Sequence, residues 1–168
     1  MEYVDVYNRL REKLGYTKPR KEIADGEYRI SAHIWILNDK GEVLVQKRSE
    51  LEDKFPGYWA QTGGGVKAGM TSKETVNEEC TEELGITVKD DELYYVGSYI
   101  RTKDIVDIWM VTKNVDTSSL TIDSNEVAEV KFVSLDDFDK MIESGIVVPS
   151  INPSYLLLKN YLTQYRKK

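Results

Sequence analysis

The sequence predicts an α+β fold, a mixed β-sheet sandwiched between helices. Apolar, β-rich runs stand both before and after one central helix-forming segment, and two further helical segments follow near the end of the chain. Strands on either side of a central helix, with helices at the end, give a mixed sheet covered on both faces.

Residues 1–26 read as an extension laid against the main body. Within it, "EYVDVY" alternates like a strand, whereas "VYNRLREKLG" fits a short helix closed by Gly15, and the pattern leaves both open. "KPRKE" and "ADGE" read as turns. Residues 27–145 form the core of the single domain. There "YRISAHIWIL" and "EVLVQKR" flank "NDKG" as a β-hairpin. "SELEDKFPGYW" is a long loop anchored by Phe55, Pro56 and Trp59, and a glycine-rich turn and an acidic helix follow it. "ELYYVGSYIR", "DIVDIWMVTKNV" and "VAEVKFVS" read as strands, with the polar "SSLTIDSNE" as loop. "LDDFDKMIESG" is a helix stopped by Gly145. Residues 146–168 end in an amphipathic helix, with Leu156, Leu157, Tyr161, Leu162 and Tyr165 near helical spacing.

Composition excludes several classes. The chain has 168 residues and a formal charge of −6, which suits one ordinary domain and argues against general nucleic-acid binding. A local basic patch can still hold a small anion. Cys80, the only cysteine, makes no internal disulfide and fits a reducing cytosol. No apolar run has the length of a membrane span, and "MEYVDVYNRL" is too charged for a signal peptide, so a cytoplasmic protein with no membrane partner is expected.

The acidic helix carries the chemistry. Thr71 and Glu74 fit a capping box, so it should begin near Ser72, and Gly85 should end it in a left-handed turn after about thirteen residues. Val76, Cys80 and Leu84 share the core stripe. Glu79, Glu82 and Glu83 crowd a separate arc, flanked by Glu74 and Glu78. Carboxylates this close repel unless a cation compensates, and Mg2+ prefers oxygen ligands shared with substrate phosphates. A glycine turn beside them lets backbone approach a phosphate. A solvated acidic face is the alternative.

The segment resembles the Nudix box, G-x5-E-x7-R-E-U-x-E-E-x-G-U, where U is bulky and apolar. Gly64, Glu79, Glu82, Glu83, Gly85 and Ile86 match it, with Cys80 at the first U. The hairpin ending "LVQKRS", "FPGYW" and "EVAEVKFVSLDDF" extend the resemblance over roughly residues 27 to 145. The extension and first hairpin are most similar to a Nudix branch related to isopentenyl-diphosphate isomerase. Two positions depart: Met70 stands where the box has its first glutamate and Glu78 where it has arginine. Glu78 is expected to add charge to an overfilled face, and Lys67 stands where many members keep an acid.

The resemblance implies Mg2+-dependent (or Mn2+-dependent) cleavage of a diphosphate linkage in a nucleoside diphosphate derivative. It implies Glu79, Glu82 and Glu83 as metal ligands, with Glu79 or Glu83 doubling as base. Glu126, in the loop before a late strand, stands where such enzymes often draw a further acid. Gly64 and Gly65 are expected against the substrate, with Lys47 and Arg48 at the phosphates. Met70 and Glu78 support an alternative, a Nudix fold that only binds a nucleotide or partner. An isomerase would need a cysteine where Gly63, Gly64 and Gly65 stand, and a metal-binding histidine near Arg29. By analogy with relatives that pair through sheets or N-terminal segments, a homodimer is expected.

The other conspicuous residues have structural readings. His33 fits a core or edge histidine, Cys80 an inert buried thiol, and Trp35 and Trp109 the sheet core. Trp59 fits packing near the glycines or a place in the pocket wall, Lys18 to Lys21 read as a solvated turn with an anion clamp as the alternative, and the terminal "YRKK" is a soluble tail.

Overall fold

The computed structural model describes residues 1–165; of the expected soluble tail, Arg166, Lys167 and Lys168 lie outside the described residues. In the extension, β1 (Tyr3–Tyr7) and β2 (Lys13–Pro19) form an antiparallel hairpin, so the strand reading holds and the helix reading does not. Alternation decides it: Val4 and Val6 both turn inward to meet Ile23. Gly15 adopts φ +84° inside β2 and closes no helix. The Asn8 side chain builds the turn by accepting from the N–H groups of Leu10 and Glu12. "KPRKE" ends β2 and enters a short 3-10 turn, Arg20–Glu22.

β3 (Arg29–Leu37) and β4 (Val43–Arg48) form the expected hairpin around an Asn38 turn, yet they pair only at Leu37 and Val43 and then splay. The next segment fills the gap. β5 (Trp59–Ala60) pairs with β4, and β6 (Thr62–Gly65) pairs antiparallel with β3. The glycines expected as a turn are therefore mostly strand. Their backbone groups are tied to β3, with Ser31 opposite Gly65 and His33 opposite Gly63.

After β6 comes α1 (Ser72–Glu79), begun by the expected capping box at Thr71. It continues as a π-type turn over Cys80–Leu84, ended by Gly85 at φ +69°. β7 (Tyr94–Ile100) and β8 (Asp104–Thr112) follow as a hairpin. β8 runs parallel to β3 along its whole length, which makes the sheet mixed. β9 (Val127–Val133) returns antiparallel to β4. α2 (Leu135–Glu143) and α3 (Asn152–Tyr165) close the fold.

The sheet buries both faces. Ile30, Ala32, Ile34 and Ile36 of β3 meet Val76, Cys80 and Leu84 on the α1 side. Trp35 and Leu37 meet Phe138, Tyr155 and Leu158 on the other. Trp35 is fully buried and donates to Ser154 Oγ at 2.9 Å. Trp109 is only half-buried, because its indole reaches across to Ser72 Oγ at 2.7 Å and ties β8 to the start of α1. Of the stripe expected on α3, Leu157, Tyr161 and Leu162 pack against the core, Leu156 and Tyr165 are exposed, and Ser154, Tyr155 and Leu158 form the fully buried line. The two aromatic partners of Trp35, Phe138 and Tyr155, select that face, whereas sequence spacing alone does not.

Candidate active site

The splay of β3 from β4 opens a cleft of about 780 Å³, crossed by the bare backbone of Gly63, Gly64 and Gly65. At one end α1 presents its acids. Carboxylate oxygens of Glu79, Glu83 and Glu126 lie within 4.8 Å of one another. Glu82 lines the same cleft, exposed, but stands outside that close group.

Each member is held by a different element. Glu79 ends α1 and packs against β6, where a Cβ on Gly64 would stand 2.8 Å from its Oε1. Glycine at this point is a matter of space. Glu83 is buried, because the π-type turn adds a residue and rotates it inward. Gln46 of β4 donates to Glu83 Oε2 at 2.8 Å, and Thr62 Oγ donates to Gln46 Oε1 at 2.8 Å, which fixes the amide's orientation. Glu126 comes from the loop before β9. That loop docks onto the same turn, with the N–H of Asp123 donating to the Glu83 carbonyl at 3.0 Å.

This arrangement is electrostatically costly without a cation. Burial, with the proton it keeps toward Glu79, holds the Glu83 carboxyl far above the usual range. Burial also raises Glu79, partly offset by its hydrogen bond with Glu83, and Glu82 and Glu126 push it further. Glu126 is raised by partial burial and by Glu52 and Asp123. An all-oxygen group of three acids, all lining the cleft and one of them buried, suits a hard divalent cation that would displace the shared proton.

Glu78 adds to the repulsion on Glu79, as expected, but its own carboxylate has a partner. Glu78 stands outside the close acidic group and pairs with Lys67 at 2.8 Å on the surface, which offsets part of its charge. Met70 packs against the α1-side core. Gly64, Gly65 and Arg48 line the cleft, with Arg48 engaged by Glu52 and the Lys54 carbonyl. Lys47 follows Gln46 onto the opposite face of β4 and is not brought to the cleft. The Cys80 thiol is buried and pushed up to about 12 by burial and by Glu83, as an inert thiol should be. Burial pulls His33 down to about 4, leaving it neutral at the cleft wall, with Nδ1 unpartnered among the described residues.

Sequence reasoning missed Gln46 and the convergence of Arg29 and Arg101 with Arg20 at the cationic far end of the cleft, of which only Arg20 fell in a segment weighed as an anion clamp. A glutamine inside the apolar run "EVLVQKR" was the available signal for the first. The arginines come from three separate strands or turns, and only the fold assembles them.

A model of the NUDIX domain matches residues 27–149. An uncharacterised Nudix hydrolase of Listeria innocua is 35% identical over 166 residues, covering 97% of this chain and 98% of that protein. Among solved structures, a Deinococcus radiodurans protein superposes with a TM-score of 0.77 at 18% identity, covering 95% of this chain and 99% of the other. The NUDIX domain of Shewanella oneidensis NrtR, solved with ADP ribose, gives a TM-score of 0.64 at 16% identity, covering 88% and 94%. With matches that span its sheet, its acidic helix and its full length, the chain belongs to the Nudix hydrolase family.

Proposed function

We propose that the protein is a pyrophosphohydrolase that uses Mg2+ or Mn2+ to cleave the diphosphate linkage of a nucleoside diphosphate derivative, a class that includes ADP-ribose. The observation that carries this reading is the meeting of Glu79, Glu83 and Glu126 within 4.8 Å beside a glycine strand. Those three residues would hold the cation, with Glu82 within reach of the same cleft. A bound divalent cation supplies charge neutralisation for the diphosphate and acidifies water.

The chain's own groups supply the rest. Backbone at Gly64 and Gly65 lets the diphosphate approach without side-chain obstruction. Gln46 keeps Glu83 fixed. Glu126, the most exposed of the three, takes the proton of the attacking water as oxygen bonds to phosphorus and the bridging P–O bond breaks. The Lys67–Glu78 pair argues against reading the departures in the box as loss of catalysis, since the acidic group stays intact beside it. An isomerase is disfavoured because the place of its cysteine is taken by glycines, one of them pressed against Glu79.

The test is product release from ADP-ribose and other nucleoside diphosphate derivatives, with Mg2+, with Mn2+ and with EDTA. Metal-dependent turnover is expected, falling by about 100-fold or more in Glu83→Gln. No turnover of any substrate, with metal binding retained, would establish a binding module on this fold.

A further inference from the structure

Successive residues of an extended strand face opposite ways. Gly64 faces the acids. Gly65 faces away from them, and a Cβ there would stand 2.5 Å from Arg29 Nη1 and 3.7 Å from the Arg20 guanidinium. One bare strand thus separates an acidic group from a cationic one, and both open onto the same cleft.

The cationic side lacks enough acid of its own. Asp104 is committed to Arg101, which grips it through Nε and Nη2, and to Ser31 Oγ at 2.8 Å. Arg29 is left 3.9 Å from that carboxylate, and the carboxylate paired with Arg20 among the described residues is that of Glu2, 4.0 Å away near the surface. Arg29 Nη1 is buried and has no hydrogen-bond partner among the described residues. A guanidinium stays charged, so a buried, unfilled donor here is costly until an acceptor arrives. Burial and the neighbouring Arg20 hold the Arg29 pKa below its ordinary value, in keeping with an uncompensated cation.

We propose that Arg29, with Arg20 and Arg101 beside it, forms a subsite for a phosphoryl group of the substrate remote from the diphosphate that is cut. This rests on the hydrolase reading and narrows it to diphosphates that carry an additional phosphomonoester. Planar guanidinium forks match phosphate oxygens in pairs, which a lysine cluster does not do.

Calorimetry in EDTA at low salt tests the subsite without the metal or turnover. The ligands are inorganic phosphate and two pairs of compounds that differ by one phosphomonoester, NADP+ with NAD+ and coenzyme A with its dephospho form. Wild type should bind phosphate and favour the phosphorylated member of at least one pair. Arg29→Gln should weaken phosphate about tenfold or more and erase the preference. Gly65→Ala should do the same with every charge kept, since its Cβ displaces only the end of a flexible side chain. Glu83→Gln should retain phosphate binding. Phosphate bound equally by wild type, Arg29→Gln and Gly65→Ala overturns the subsite, as does no binding at all. Phosphate binding without preference in either pair assigns the site to free phosphate and overturns the substrate claim. If Arg29→Gln fails to fold, Gly65→Ala decides. Loss of metal-dependent turnover alone would count against the hydrolase reading and leave the subsite standing.

Discussion

Glu83 links the site to stability. Its carboxyl is protonated far above the usual 4.5 because it is buried against Glu79. A raised folded-state pKa means the native protein binds more protons than the unfolded chain, so this group's stabilisation is full below pH 4.5 and is lost as pH rises through the raised value. Metal-free protein should therefore lose melting temperature between about pH 5 and pH 8. Glu83→Gln keeps the Gln46 contact without the charge. It should flatten that slope and melt higher than wild type near pH 8, by about 2–4 °C per kcal/mol relieved. Identical slopes for the two proteins would show that Glu83 ionises freely. The acids were legible at this scale because E-x-x-E-E spacing survives translation into helix geometry. Burial of Glu83 was not, since it depends on the π-type turn and on Gln46, which lies 37 positions away in sequence.

At the scale of elements, backbone pairing of Tyr7 with Tyr28 and of Tyr3 with Ala68 lays the N-terminal hairpin on the body, and one side chain ties its turn to β8. Arg11 sits in the left-handed region at φ +65° and directs its guanidinium to both oxygens of buried Asp107, at 2.6 and 2.7 Å. Burial would raise Asp107, but the hydrogen bonds from Arg11, Ser98 and Ser72 outweigh it and keep the carboxylate charged. Arg11→Ala should cost about 1–2 kcal/mol by urea denaturation, discounted because the arginine is half exposed. Asp107→Asn in the same background should restore part of the loss. An unchanged midpoint would mean that the two serines satisfy Asp107 alone. The hairpin itself was half legible: "EYVDVY" alternates, but "VYNRLREKLG" also fits a helix, and the choice falls to Ile23 and the turn at Asn8. The splay of β3 from β4 could not be read from the "NDKG" turn, which fixes register only at its own end.

At the scale of the whole molecule, the fold was legible because hydrophobic alternation, caps and turn residues agree over most of the chain. The cleft's polarity was not, because Arg20, Arg29 and Arg101 converge only when β3, β7–β8 and the extension are in place. What results is one cleft with acids and cations on opposite sides of a glycine strand, the acids suited to a metal-bound diphosphate and the arginines to the remote phosphoryl group proposed above. A Mn2+ titration followed by electron paramagnetic resonance, on wild type, Glu83→Gln and Glu126→Gln, tests the acidic side directly. Binding by wild type, weakened about tenfold or more in each variant, is the predicted result. Equal Mn2+ affinity in all three proteins would contradict the assignment of Glu79, Glu83 and Glu126 as the metal centre.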